Sequence, residues 1–330
     1  MDLAIIGFGT AGEARLFAYA LIENARVTCV VDPSPDRRER AALLGLTAYA
    51  DLPAMLAATP VDAIDICSPP AYHAELVTAG LTAGCHVICE KPVAFEGAKA
   101  AELVACSRRT GRLLYPAHNY TFSPMMRMFT EAIADDTVGR PMTASFEIRR
   151  RTHARGVPSW MPDWRRDPSV ACGGILLDHG THCVYMATRL FGALPTKVSC
   201  TTSLNDEGLD HAAKLQLSFP EGSCSIVLSW VSDERSNLYE LNGPTGSVSI
   251  RDGRALVEGP RGRQVRELTS PTGSGTHEEW FADMFADFAG LVERPREWSR
   301  PLDETLATAR IIDAAYRSAA QNGTAVAIDG

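Results

Sequence analysis

No apolar run in the 330 residues approaches the roughly 18 that a membrane-spanning helix needs. No basic leader precedes the opening strand, MDLAIIG, so nothing suggests export and a cytoplasmic protein is expected. Positive charge is not in surplus either. The net charge is -8 and the pI about 5.5, which excludes the basic footprint of a nucleic-acid or anionic-membrane surface. The nine cysteines are an odd number, include no C-x-x-C pair, and place Cys29, Cys67 and Cys89 inside apolar strands. Reduced, buried thiols are therefore expected rather than disulfides. Internal repeats and low-complexity tracts are absent. What is left is a chain with 45% hydrophobic and 22% charged residues, ordinary for a globular protein. Its length exceeds what one hydrophobic core usually organises, which implies two domains.

The first part alternates strand and helix. DLAIIG, RVTCVVD, DAIDICSPP, HVICEKP and RLLYPAHN read as buried strands, separated by the helical segments GEARLFAYALIEN, AYHAELVTAGLTAG and EGAKAAELVACSRRTG. Such βαβ units build a parallel sheet, and the right-handed crossover rule makes a doubly wound sheet the economical solution. After about residue 120 the pattern changes. MTASFEIRRRTH alternates, GGILLDHGTHCVYMATRLFG is helical, and TKVSCTTSL, HAAKLQLSFP, SCSIVLSWV, LYELNG and SVSIRDG follow as short strands between turn signals. HEEWFADMFADFAGLVER and PLDETLATARIIDAAYRSAAQNG close the chain as helices, the first with a core stripe of Trp280, Phe281, Met284, Phe285 and Phe288. The expected fold class is α/β. It combines a doubly wound Rossmann domain over residues 1–120 with an α+β domain over 121–330, built on a large, mostly antiparallel, open-faced sheet. The last helix can pack back on the first domain.

GFGTAG places Gly7, Gly9 and Gly12 at G-x-G-x-x-G spacing between the first strand and the first helix. Gly7 permits a tight turn, Gly9 lets the backbone approach a pyrophosphate, and Gly12 lets helix and strand pack closely. Phe8, Thr10 and Ala11 complete a loop that meets phosphate at a helix N-terminus. Asp32 closes the second strand 20 residues after Gly12, placed to accept both adenosine ribose hydroxyls. Its charge repels a 2′-phosphate and favours NAD over NADP, although Arg37 and Arg38 follow closely enough to serve such a phosphate. Ser68, Pro69 and His73 are expected along the path from adenosine to nicotinamide.

Glu90-Lys91-Pro92 ends a strand at the edge where open α/β sheets place ligands. A lysine buried there is costly unless it has a partner or a task; a plain salt bridge to Glu90 at a solvated edge is the alternative. Asp178, His179 and His182 fall together in GGILLDHGTH. They read as a wet helix face, a metal site or an acid/base device. A metal needs more ligands, and only His118 or His153 offers itself, so none is expected. The Gly-Gly start and the following apolar run favour the acid/base device.

In chain order, GFGTAG, Asp32, ICSPPAYH (66–73), CEKP (89–92), DWRRDP (163–168) and GGILLDHGTH resemble the family of glucose–fructose oxidoreductase, inositol dehydrogenase and rhizopine-catabolism proteins (Gfo/Idh/MocA). The resemblance spans essentially the whole chain. It implies an NAD(P)-dependent oxidoreductase acting on a ring hydroxyl or ketone of a sugar or cyclitol, with Lys91, Asp178 and His182 as the reacting centre. The chemistry agrees. His182 titrates in the range of a base for the hydroxyl proton, and Lys91 can donate to the reacting oxygen. Asp178, one helical turn earlier, can orient the imidazole or bind a neighbouring hydroxyl.

Glu90, Lys91, Asn119, Trp164 and Arg165 join the cofactor set, because the loop with Trp164 and Arg165 reaches over cofactor and substrate in that family. His118, Arg149, Arg151, His153, Trp164 and His179 complete the substrate set; the arginines and His153 suit a phosphorylated or acidic substrate, or else form a solvated sheet edge. Two positions depart from the family pattern: Cys172 replaces the first of three glycines, and Tyr185 stands where relatives often have Asp. The resemblance also leaves an NAD-dependent glycoside hydrolase using transient oxidation, and a non-catalytic ligand-sensing regulator. Retention of Lys91 and His182, without a DNA-binding appendage, speaks against the regulator. Finally, the alternation in KLQLSF and SIVLSW suggests an apolar open face, hence a homodimer or homotetramer through the second sheet.

Overall fold

The computed structural model describes residues 1–268 and 278–328, which divide into two compact units. The first comprises the described residues of Met1–Asn119, Ala154–Cys172 and Ser274–Ala309; the second, those of Tyr120–His153, Gly173–Gly273 and Arg310–Gly330. Among the described residues, no helix is long and apolar enough to cross a membrane.

In the first unit, β1 (Asp2–Ile6), α1 (Thr10–Tyr19), β2 (Arg26–Val31), α2 (Pro35–Leu43), β3 (Thr47–Tyr49), α3 (Leu52–Ala58), β4 (Ala63–Ile66), α4 (His73–Thr82), β5 (His86–Cys89), α5 (Gly97–Thr110) and β6 (Leu114–Pro116) alternate. The six strands run parallel in the order β3-β2-β1-β4-β5-β6. Helices cover both faces of such a sheet, so β1, β4 and β5 are buried nearly end to end and read as apolar runs, broken in β4 by Asp65. The strand order reverses between β1 and β4, the point where doubly wound sheets open a crevice at the strands' carboxyl ends. The expected five strands are six: β3, only three residues long, has no periodicity to betray it.

The second unit starts with α6 (Pro124–Ala134) and β7 (Thr143–Arg149). Between them and the rest of that unit the chain gives Ala154–Cys172, with its short α7 (Pro168–Ala171), to the first unit. A π-helical turn (Leu176–Gly180) then leads into α8 (Thr181–Phe191). The strands β8 (Lys197–Leu204), β9 (Asp210–Phe219), β10 (Gly222–Ser229), β11 (Ser236–Asn242), β12 (Ser247–Arg251), β13 (Arg254–Gly259) and β14 (Gly262–Glu267) follow. The closing helices are α9 (Glu278–Val292), in the first unit, and α10 (Ser299–Ala320), before β15 (Val326–Ala327). His277, expected at the start of α9, lies outside the described residues. Leu302 and Ala309 of α10 belong to the core of the first unit.

The second sheet has nine strands in the order β14-β13-β12-β11-β7-β10-β9-β8-β15, antiparallel except for β7 against β10. The hairpin β13–β14 was not legible, because β14 is exposed along its whole length and carries no apolar alternation. One face of the sheet, with Phe146, Ile148, Leu215, Leu217, Ile226 and Leu228, is buried under α6 and α8. The other face is polar, not apolar as expected. Lys214 and Gln216 of β9, Ser223 and Ser225 of β10 and Glu147 of β7 alternate with the buried residues there, with Val227 among them. The reason is arithmetic: one alternating run supplies one apolar face, and the helices already use it.

His86 opens β5 with its ring edge-on to Trp298, 5.7 Å between centroids, and its Nδ1 accepts the Leu113 N–H at 3.0 Å. Burial first, and Arg112 second, bring its pKa from 6.5 down to about 4. The unfolded chain therefore takes up this proton first, so stability is lost as pH falls from 6.5 toward 4. His86→Asn, which keeps an acceptor for Leu113, should flatten the denaturation midpoint across that window. Equal acid loss in both proteins would remove His86 as the cause.

Candidate active site

Space dictates the glycine turn. Gly7 follows β1 at φ +92°, and a Cβ there would lie 2.8 Å from the Ser68 nitrogen. A Cβ on Gly12 would lie 2.2 Å from the Gly7 oxygen, so α1 sits this close to β1 only with glycine. Around Gly9 nothing lies within 4 Å of the Cβ position, which leaves room at the N-terminus of α1. A pyrophosphate fits that cradle. Phe8 contributes only backbone: its side chain is buried with Ile5, Val30 and Ala41.

Asp32 is fixed at the end of β2. Its Oδ2 accepts the Phe8 N–H at 2.7 Å and its Oδ1 the Ser34 N–H at 2.8 Å, leaving further lone pairs for ribose hydroxyls. Arg37 donates to the Phe8 carbonyl at 2.6 Å and to Glu13. Arg38 donates to the Asp32 and Pro33 carbonyls at 2.9 and 2.8 Å. Both guanidiniums thus hold the turn together.

Glu90 and Lys91 follow β5. Glu90 Oε1 accepts from Arg15 at 2.6 Å, and Oε2 accepts the Lys91 N–H at 3.2 Å. Arg15, fully buried in α1, also lies 3.5 Å from Asp65 Oδ2 and 4.0 Å from the Phe281 ring centroid. The Tyr19 hydroxyl donates to the same Asp65. Burial disfavours the Arg15 cation, but Asp65 and Glu90 outweigh it and raise its pKa. Burial also pushes Asp65 and Tyr19 up.

His73 does not line the cofactor path as expected. Its ring is buried, with Nδ1 2.7 Å from the Pro92 carbonyl and Nε2 2.7 Å from the Ser68 carbonyl. It ties the loop after β4 to the loop carrying Lys91, and burial lowers its pKa. His118 and Asn119 are buried as well, with His118 Nδ1 3.7 Å from Glu304 of α10. Ser68 and Pro69 remain partly exposed at the end of β4. Trp164 and Arg165 lie in the strap Ala154–Cys172, where the Arg165 guanidinium stacks on the Trp164 ring at 4.2 Å. Two bonds from Arg155 to Asp163, at 2.9 and 3.0 Å, and one from the Gly156 N–H to the Pro162 carbonyl, at 2.7 Å, hold the strap's own shape. Its α7 packs on the turn Pro70–Tyr72.

In the second unit, buried Asp210 caps the segment that carries the polar cluster. It accepts the Gly174 and Leu176 N–H groups at 2.9 and 2.7 Å and the Tyr316 hydroxyl at 2.9 Å. Asp178 and His179 sit on the π-helical turn, and His182 in the first turn of α8. π-turns inside helices recur at functional sites. His182 Nδ1 lies 2.7 Å from the Tyr185 hydroxyl, whose oxygen also accepts the Tyr120 N–H at 3.2 Å. The Tyr120 ring packs 4.3 Å from the His182 ring. His179 Nδ1 is 3.6 Å from Asp178 Oδ2, and His179 and His153 both stand edge-on to Trp230. Arg149 is paired with Glu147, Arg150 donates to Ser236 and Asn237, and Arg151 is exposed.

Residues 1–118 match the family described as "Oxidoreductase family, NAD-binding Rossmann fold", and residues 126–249 match the "GFO/IDH/MocA C-terminal domain". The D-xylose 1-dehydrogenase (NADP(+)) 2 of Haloferax volcanii is 30% identical over 97% of this chain and 94% of its own. The chain belongs to the Gfo/Idh/MocA family of oxidoreductases. The inositol 2-dehydrogenase of Rhizobium meliloti is 26% identical over 96% of both chains. A levoglucosan dehydrogenase solved with NADH and levoglucosan shares the fold, at a TM-score of 0.86 and 20% identity over 100% of both chains. The doubly wound sheet, the second mostly antiparallel sheet and the oxidoreductase class expected from the sequence are therefore all present in this Gfo/Idh/MocA protein.

Sequence reasoning missed Arg15, Tyr19, Asp65, Tyr120 and Asp210. Signals existed for two of them: Asp65 interrupts the otherwise apolar strand AIDI, and Arg15 falls on the face of α1 that buries Ala14, Ala18 and Tyr19. Tyr185 was visible only as a departure from the family, and the structure makes it the partner of His182. Tyr185→Phe deletes one hydroxyl and should lower kcat by about 10- to 100-fold, since a small misplacement of a reacting group is that costly. Thermal unfolding and NADH titration should stay near wild type. An unchanged kcat would show that His182 does not depend on Tyr185.

Proposed function

We propose that this Gfo/Idh/MocA protein is a cytoplasmic, NAD-dependent dehydrogenase that oxidises a ring hydroxyl of a neutral sugar or cyclitol, or reduces the corresponding ketone. Residues 1–120 hold the cofactor and residues 121–330 the substrate. One observation carries the reading: Lys91 follows β5 in the same row of strand ends as Gly7 after β1, Asp32 after β2 and Ser68 after β4. A reactive amine on the rim of a dinucleotide cradle suits hydride chemistry better than any packing role. The names of relatives point the same way: xylose, apiose and inositol dehydrogenases.

When bound, nicotinamide supplies the hydride acceptor. The protein supplies proton handling and charge. His182, anchored through Nδ1 to Tyr185, takes the hydroxyl proton at Nε2. Lys91 donates to the reacting oxygen and steadies its developing negative charge. Asp178 holds a neighbouring hydroxyl. A neutral substrate is favoured over a phosphorylated one, because Arg149 is spent on Glu147 and Arg150 on Ser236 and Asn237. NAD is favoured over NADP, although some relatives carry NADP in their names, because Asp32 is presented while Arg37 and Arg38 are tied to the turn. A homodimer or homotetramer through the open face of the second sheet would bury a polar, serine-rich surface.

Lys91→Met should lower kcat by about a thousandfold or more while NADH binding, followed by fluorescence, changes little. Turnover near wild type would remove Lys91 from the chemistry. Asp32→Ala should weaken NADH at least about tenfold, the worth of a charged hydrogen bond, and narrow the gap to NADPH. An unaltered NADH-to-NADPH ratio would move cofactor choice elsewhere.

A further inference from the structure

We propose that Arg15 is a positioning residue for Lys91, coupling the helix of the cofactor cradle to the strand end that carries the reactive lysine. The inference rests on the role given to Lys91 above.

Arg15 lies three residues beyond Gly12, on the buried face of the helix whose first turn forms the cradle. Its guanidinium touches four groups. It donates to Glu90 Oε1 at 2.6 Å and to Met284 sulfur at 3.5 Å, stacks on Phe281, and lies 3.5 Å from Asp65. Glu90 passes the restraint on, because its second oxygen accepts the N–H of Lys91 itself at 3.2 Å. The main chain of the lysine is therefore pinned, through one carboxylate, to α1.

As a stabilising device the arrangement is poor. Arg15 Nε and Asp65 Oδ1 are both buried without a hydrogen-bond partner. Buried ion pairs of this kind can often be replaced by apolar groups of similar volume without loss of stability. Three charged side chains, Arg15, Asp65 and Glu90, thus occupy a region that Leu or Met would fill at least as well. What apolar side chains could not do is fix a direction. The planar guanidinium fork sets both distance and orientation of Glu90, and an oriented carboxylate sets Lys91. His73 braces the same loop from the other side, through the Pro92 carbonyl. Lys91 therefore sits between two restraints, one reaching the cradle helix and one reaching Ser68 at the end of β4.

The test is the double variant Arg15→Met, Glu90→Gln. It removes the Arg15–Glu90 pair, keeps similar volume, leaves Asp65 to the Tyr19 hydroxyl and leaves an amide oxygen at position 90 for the Lys91 N–H. The chain contains only Lys91, Lys99, Lys197 and Lys214, so reductive methylation with carbon-13 gives four dimethyl-lysine signals, and Lys91 is assigned by its loss in Lys91→Met. We expect a folded protein that binds NADH within about threefold of wild type, with kcat lower by about a hundredfold, KM little changed and the Lys91 signal displaced. Arg15→Lys, which keeps the charge and loses the fork, should fall between. A kcat within about threefold of wild type and an unmoved Lys91 signal would reduce the network to packing. If the double variant does not fold, Glu90→Gln alone carries the same two readouts. Turnover by Lys91→Met would instead overturn the role of Lys91, while the methyl signal would still report whether Arg15 positions it.

Discussion

The geometry of the cofactor end depends on a backbone crossing that no side chain can occupy. α1 leaves β1 so tightly that Gly12 lies against the Gly7 carbonyl and Gly7 against the backbone of Ser68. That closeness brings the N-terminus of α1, Asp32 and the loop after β4 into one rim. It also sets the reach of everything on α1. An arginine one turn along can touch Glu90 only because the helix is held this near the sheet. A Cβ at Gly12 would push α1 away from β1, and one at Gly7 would push the glycine turn away from the backbone of Cys67 and Ser68.

Polar groups are organised differently in the two units. In the first, the charges behind the rim are buried and mutually compensated, Arg15 against Asp65 and Glu90, with His73 between two carbonyls. Compensation inside a low-dielectric interior makes orientation stiff, since displacing one member strands another. In the second unit the polar cluster is carried by rings and hydroxyls: Tyr120, Tyr185, His153, His179, His182 and Trp230. Rings with polar tips present apolar faces and hydrogen bonds side by side. At the end of β7, Arg149 is paired with Glu147, and Arg150 donates to the Ser236 carbonyl and to Asn237.

Much of this was legible in the sequence alone. Apolar runs in β1, β4 and β5, the glycine spacing and Asp32 at a strand end all follow from local rules, because each constraint acts within a few residues. What was illegible is non-local. β3 has three residues, β14 has no buried face, and the partners of Arg15 lie on other strands and on α9. His73 shows the same limit in reverse. Its place after β4 suggested a liner, but the turn Pro70–Tyr72 swings α4 so that the ring points inward, between two carbonyls. The apolar open face failed for a simpler reason, since alternation reveals that one face is buried and not which element covers it.

The segment from Gly173 to Phe191 shows why a helical period alone could not place Asp178 and His179. Read as one continuous helix, it puts Asp178 one turn below His182. In the structure the turn Leu176–Gly180 is π-helical, so each residue before Thr181 is rotated relative to the α8 that follows. α8 still buries Cys183, Val184, Met186 and Ala187 in the core, so its orientation is not free to change. Widening the preceding turn re-aims Asp178 and His179 without disturbing that packing. Gly180 makes the widening possible: a Cβ there would meet Leu176 at 2.9 Å and Leu228 of β10 at 3.3 Å. Asp210 holds the open end of the turn by taking the Gly174 and Leu176 N–H groups. Core packing, a wide turn and a buried cap thus set the polar cluster separately from the hydrophobic face, and a change to the cap should shift Asp178 and His179 while leaving α8 in place.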